Sequence, residues 1–314
     1  MSVMTPAAPS PRSTHSQAFQ LRRRAEGLAS ALPPMLVAAE RIANAVIHGL
    51  HGRRRSGPGE DFWQYRPYSF GDAAQSIDWR KSARSDRVLV RENEWAASHT
   101  IWLWASQSPG MEFSSHLAQT SKRDRAVLLA LALAVLAAKA GERVGALGSP
   151  HRPGHTGTTL NRMAQWYAAE AANGGASLPP ETPLPRYSAA VLIGDFLEPL
   201  DRIAKCITAL AANDVAGHVV QVLDPAEETL PYQGRTEFLE IEGARRLMAG
   251  RAESLRERYQ ARLKEQREGL RDLARRLGWS FTVHSTGRPP QQVLLAIYGL
   301  LVARRAYGGL AAGV

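Results

Sequence analysis

Asp224 and Glu227 stand three residues apart, a spacing at which two carboxylates could divide general acid–base work. Asp224-Pro225 before a turn is more simply a strand terminator, and nothing nearby completes a catalytic set. Ser106 lacks the G-x-S-x-G context that exposes a nucleophilic serine. The nine histidines form no H-x-x-x-H pair on a predicted helix, and one cysteine, Cys206, cannot build a zinc site. No G-x-G-x-x-G and no Walker sequence occurs, so nucleotide binding is not expected. What remains is an apolar run, Thr100-Ile-Trp-Leu-Trp104, that leads into Ala-Ser106-Gln-Ser108-Pro-Gly-Met111. This is a strand entering a Ser-x-Ser turn, and it ends in an indole rather than an acid.

The elements that would position these residues alternate along the chain. Strands are predicted at 100–104, 143–147, 188–193, 217–223 and 279–284, with helices at 121–140, 160–172, 199–212, 249–277 and 290–304. Ser121 is a candidate N-cap, and Pro199 suits a first helical turn. Strand–helix alternation of this kind gives a mainly parallel sheet covered on both faces. Ligands on such sheets sit beyond the carboxyl ends of the strands, which places Ser106, Ser108 and Asp195 on one rim. The Gly/Pro/Thr-rich segments 150–158 and 173–185 are read as surface excursions.

The chain has 314 residues with ordinary hydrophobic (44%) and charged (22%) content, enough for one large or two modest domains. Its lone cysteine excludes an internal disulfide and fits a cytoplasmic protein. The net charge of +10 suggests anionic partners. Only five of the 39 basic residues are lysine, however, and the arginines lie in scattered clusters without interleaved aromatics, so nucleic acid is not the expected partner. A helix at 35–50, flanked by arginine clusters, would suit peripheral membrane contact, although docking on the rest of the fold explains its apolar face equally simply. The apolar run 126–138 is too short to span a bilayer. The expected organisation is a disordered tail (1–18), a helical segment (19–51), a β-rich subdomain (52–97), an α/β domain (98–306) and a flexible tail (307–314).

Residues 52–95 mix arginines and carboxylates densely, with Glu60, Arg66, Asp72, Asp78 and Arg84 foremost. They read either as bidentate bridges pinning the subdomain or as a recognition surface. Gly59-Glu60-Asp61-Phe62, Arg66-x-Tyr68-x-x-Gly71-Asp72, Ile77-Asp78-Trp79 and Ala83-Arg84 resemble the hallmark of the bacterial "domain of unknown function 58" family. The resemblance continues through Gly141-Glu142-Arg143-Val144-Gly145, Gly194-Asp195-Phe196, Val222-Leu223-Asp224-Pro225-Ala226-Glu227 and Leu230-Pro231-Tyr232-x-Gly234.

That resemblance implies a von Willebrand A-like, Rossmann-like α/β domain with a small β-rich insertion. It also implies an accessory role beside a MoxR-type AAA+ ATPase, with other von Willebrand A-type proteins as further partners. In an A-type cation site, the serines of D-x-S-x-S, a separate threonine and a later aspartate hold Mg2+. By position these are Ser106, Ser108, Thr158 (or Thr159) and Asp195, with Trp104 in place of the leading aspartate. One carboxylate and three neutral hydroxyls offset little of the dehydration cost of Mg2+, so the expected site is degenerate and metal-free. The plain alternative is that Ser106, Ser108 and Asp195 cap strand ends and helix N-termini. The expected function is that of a non-enzymatic adaptor whose contact face is this rim or the surface around Arg66 and Asp72. Two rivals stand beside it. One is a Mg2+-dependent binding or hydrolytic protein, with Glu112 replacing the lost acid. The other is a basic protein associated with membranes or nucleic acid.

Overall fold

Side-chain alternation along Ile101-Trp-Leu-Trp-Ala sorts the central strand between two cores. Ile101, Leu103 and Ala105 enter one apolar cluster, and Trp102 and Trp104 enter the other, as a period of two requires of a strand covered on both faces. A computed structural model describes residues 41, 43, 64–68, 79–84, 88–92, 100–186, 188–239 and 246–311. They fall into two compact units, Gly49–Ser98 and the remainder.

In the smaller unit, β1 (Gln64–Pro67) pairs antiparallel with β2 (Leu89–Glu92), Arg66 opposite Val90. The short helix α1 (Trp79–Ser82) lies between them in sequence. Trp79 and Arg84 are both exposed. Glu60, Gly71, Asp72 and Asp78 lie outside the described residues, so neither the bridges nor the recognition surface proposed for them is placed.

The larger unit is a five-stranded parallel sheet in the order β4-β3-β5-β6-β9. Its strands are β3 (Thr100–Ala105), β4 (Arg143–Ala146), β5 (Ala189–Gly194), β6 (Ala216–Leu223) and β9 (Ser280–Ser285). On one face lie α2 (Lys122–Lys139), α3 (Gly157–Ala172) and α7 (Pro290–Ala311). Nearly every apolar residue of α2 is buried, which is why its sequence shows little amphipathic contrast. The other face carries α4 (Leu200–Ala211) and α6 (Arg256–Arg276), packed on Trp104, Leu192, Val219 and Trp279. This is the Rossmann-like α/β arrangement that the alternation predicts. Ala43, a helical residue, is fully buried in the first cluster.

Three details depart from the sequence reading. The helix expected from Ala249 begins only at Arg256. Arg246–Ala249 is instead strand β8, antiparallel to β7 (Thr236–Leu239), and Gly250 separates it from a 3-10 turn at Ala252–Leu255. Asp224-Pro225 does more than end β6: it opens a helical turn, α5 (Pro225–Thr229). The closing helix α7 runs to Ala311, past the end expected at 304. Among the described residues no helix is long and apolar enough to cross a membrane.

Candidate functional site

The first turn of α2 carries Lys122, Arg123 and Arg125, three cations at the end of a helix whose dipole disfavours them. Ser121 caps the helix by accepting the Asp124 N–H at 3.0 Å. Each cation is held by a different part of the rim. Arg123 donates to Glu112 at 2.5 Å. Arg125 donates to the carbonyls of Thr286 and Arg288 beyond β9. Lys122 reaches into the rim itself. Its Nζ donates to Asp195 Oδ2 at 3.0 Å and Glu227 Oε1 at 2.7 Å, and the residue is only 1% exposed.

One ammonium thus joins the loops after β3, β5 and β6. Burial opposes the charge on Lys122, but Asp195 and Glu227 outweigh it and hold the ammonium above the ordinary lysine value. Burial likewise pushes the Glu227 carboxyl up, against the pull of Lys122. Glu227 shares its cation with Asp195, whose nearby charge adds to the rise.

Glu227 is fixed from its other side. Its Oε2 accepts the Asp224 N–H at 3.0 Å, while Asp224 Oδ1 accepts the Ala226 N–H, a reciprocal cap on α5. Asp224 Oδ2 takes the Ser115 N–H at 3.0 Å, and the residue is fully buried. The carboxylate pair read as a conceivable acid–base couple is therefore engaged in capping and ion pairing. The Asp195 carbonyl accepts from Gln221, whose side-chain oxygen takes a bond from Arg267 on α6.

Ser106 is buried at the end of β3. Its N–H continues the ladder to Ile193, and its hydroxyl donates to the Ala176 carbonyl at 3.3 Å. Ser108 is also buried and precedes the 3-10 turn Pro109–Glu112. Trp104 is not on the rim surface: its indole lies in the core, with its ring centroid 6.1 Å from that of Phe196.

Thr158 is displaced from this group. The chain after β4 turns back, and Gly154 bridges antiparallel to Val144, whose other neighbour is Ile101 near the start of β3. Helix α3 therefore begins at the opposite end of the sheet, with Thr158 exposed in its first turn. Its far end delivers Ala176 to Ser106. At about 1.5 Å per residue, Thr158 stands roughly 20 Å along the axis from Ala172. Thr159 shares that end, its hydroxyl 3.2 Å from that of Thr156. The hydroxyl at the rim is that of Ser177, which donates to Glu198 at 2.7 Å. Glu112, the acid nearest in sequence, is taken by Arg123.

A cleft of about 390 Å3 opens on the cluster. Lys122, Asp195 and Glu227 contribute to it, together with Ser108, Ser177 and Glu198. Leu197, Pro199 and Leu239 supply its apolar part. Among the described residues no three His, Cys, Asp or Glu side chains converge as a metal-binding group. The loop bearing Ser177 needs a glycine: a Cβ on Gly175 would lie 2.4 Å from Gln107 Cβ and 2.9 Å from its carbonyl carbon. Gly175→Ala should therefore cost about 2 kcal/mol in urea denaturation, because backbone must shift to admit it.

Two residues that sequence reasoning passed over, Lys122 and Ser177, complete the rim. Lys122 had a signal: a lysine directly behind an N-cap serine, where helix electrostatics favour an acid.

Residues 64–269 match the family described as "Protein of unknown function DUF58". The chain belongs to this family. Uncharacterised proteins of Mycobacterium bovis and Mycobacterium tuberculosis are 31% identical to this DUF58 chain over 221 residues, covering 66% of it and 68% of their own length. No solved structure matches it. All the rim residues just described, from Ser106 to Glu227, fall within the matched span.

Proposed function

We propose that this DUF58 chain is a non-enzymatic adaptor that grips partner proteins through its rim without a metal ion, and that a MoxR-type AAA+ ATPase is the partner it works with. The observation that carries this reading is the place of Lys122. A buried ammonium already sits between Asp195 and Glu227, where a cation bound to this rim would have to sit. A tethered cation keeps the three loops assembled with no exchangeable ion, so the cleft has a fixed shape to present. The partially exposed Leu197 and Leu239 beside it give that surface apolar area of the sort proteins bury on association. In von Willebrand A-like terms, the rim keeps the serines and the later aspartate and puts a lysine where the ion would be.

The test is capture of the ATPase by the full-length chain with chelator and with added Mg2+, alongside calorimetric titration of the chain with Mg2+ and Mn2+. Equal capture under both conditions and no heat of ion binding are expected. Sub-millimolar ion binding abolished by Asp195→Ala would establish the metal-dependent reading instead.

A further inference from the structure

The cleft over Lys122 has a neighbour. A second cleft of about 550 Å3 lies between the start of α4 and the face of α6. Leu197, Glu198 and Pro199 line both, so the two form one groove interrupted by a low ridge. The ridge is built to stay in place. Phe196 has a left-handed backbone (φ 49°) and is buried, which turns Leu197 outward, 45% exposed. Gln266 on α6 donates to the carbonyls of both Phe196 and Glu198, at 3.0 and 2.9 Å. Leu239, exposed at one end, extends the apolar surface.

The charge of the groove runs against that of the chain. Asp195, Glu198, Asp201, Glu227 and Glu265 line it. The cations that meet them are Lys122, Arg262 and, reaching Glu198 from α4, Arg202. Among the described residues five carboxylates face three cations, so acidic groups outnumber basic ones along this groove on a chain of net charge +10. A cationic ligand is therefore repelled by the molecule as a whole and attracted by this groove, which makes the local charge a selective feature.

We propose that the groove on the two sides of the Leu197–Pro199 ridge receives a segment of a partner protein in which aliphatic side chains alternate with arginines or lysines. The aliphatic groups would cover Leu197 and Leu239, and the basic groups would meet Asp201, Glu198 and Glu265. This rests on the adaptor reading and adds the chemistry of what is gripped.

The experiment is fluorescence anisotropy with a short fluorescein-labelled peptide of alternating leucine and arginine, titrated with the full-length chain. Control peptides carry glutamate for arginine, or glycine for leucine. The leucine–arginine peptide is expected to bind, and both controls to bind at least about tenfold more weakly. Leu197→Ser and Asp201→Arg, both at exposed positions and checked by circular dichroism for an unaltered fold, should each weaken it about tenfold. Equal binding of the glutamate peptide, or binding unaffected by both substitutions, overturns the proposal. Capture of the ATPase by the same variants separates the two claims. Undiminished capture removes the groove and leaves the adaptor, whereas peptide binding without capture keeps the groove and removes that partner. A change in light scattering that tracks Leu197→Ser would show a second copy of the chain as the occupant, and that too overturns the proposal.

Discussion

Replacing Lys122 by methionine is expected to destabilise the fold by about 3–5 kcal/mol, measured by urea or guanidinium denaturation. Methionine fills similar volume, so little of this loss comes from packing. It comes from leaving Asp195 and Glu227 facing each other without a cation, in a site where the lysine is almost wholly enclosed. The charge origin can be isolated. Asp195→Asn and Glu227→Gln added to Lys122→Met remove every charge of the trio, and most of the lost stability should return. A triple variant as unstable as the single one would mean that shape, rather than charge, holds the loops. The wild-type contribution also has a pH limit. The folded Lys122 value lies above the ordinary one, so its stabilisation is complete below about pH 10 and is lost as the pH rises through the folded value. Mg2+ should leave the wild-type midpoint unchanged. It should raise that of Lys122→Ala, in which the ammonium's place between two carboxylates is vacant.

The parallel sheet was legible because its strands are buried on both faces and are punctuated by helices with clear caps. Ser121 caps α2 as expected, and Pro199, expected in the first turn of α4, stands one residue before it. The paired strands β7 and β8 were not legible. Arg246-Leu-Met-Ala249 is too short to show a period, and the charged helical pattern that follows absorbs it. The rim was half legible. Ser106, Ser108 and Asp195 end strands, so their placement follows from the sheet. Thr158 was misplaced because the chain returns after β4, with one isolated antiparallel bridge at Gly154, and so reverses the end of the sheet at which the next helix starts. Ser177 lies in a Gly-rich loop whose path no local rule fixes; it is set by the close approach of Gly175 to Gln107. Lys122 was legible only in its odd place behind the N-cap Ser121; its partners Asp195 and Glu227, 73 and 105 residues away, leave no trace in local spacing.

Acidification should cost the fold about 3 kcal/mol at His284 between about pH 6.5 and pH 4, and His284→Gln should abolish that part of the slope. Burial, with Arg125 and Arg288 alongside, pushes the imidazole down to about 4. Because the folded value lies below the unfolded one, the unfolded chain takes up a proton that the folded chain refuses. Stability is therefore complete above about pH 6.5 and falls as the pH drops towards 4. The geometry gives the cause. A guanidinium can only donate, so at the 3.1 Å contact with Arg125 Nη1 the His284 Nε2 must be the acceptor, with the ring proton on Nδ1. A protonated ring would set a donor against a donor. Glutamine keeps an acceptor without a titrating group, so the comparison of wild type with His284→Gln cancels the opposite contribution of Glu227, whose carboxyl is raised. Equal acid slopes for the two proteins would remove His284 from the account. The consequence reaches the rim because Arg125 lies three residues after Lys122 on the same helix. Its other bonds tie α2 to the carbonyls of Thr286 and Arg288. Loosening that tie frees the first turn of the helix that carries the ammonium, so partner capture should weaken over the same pH range in the wild type and hold in His284→Gln.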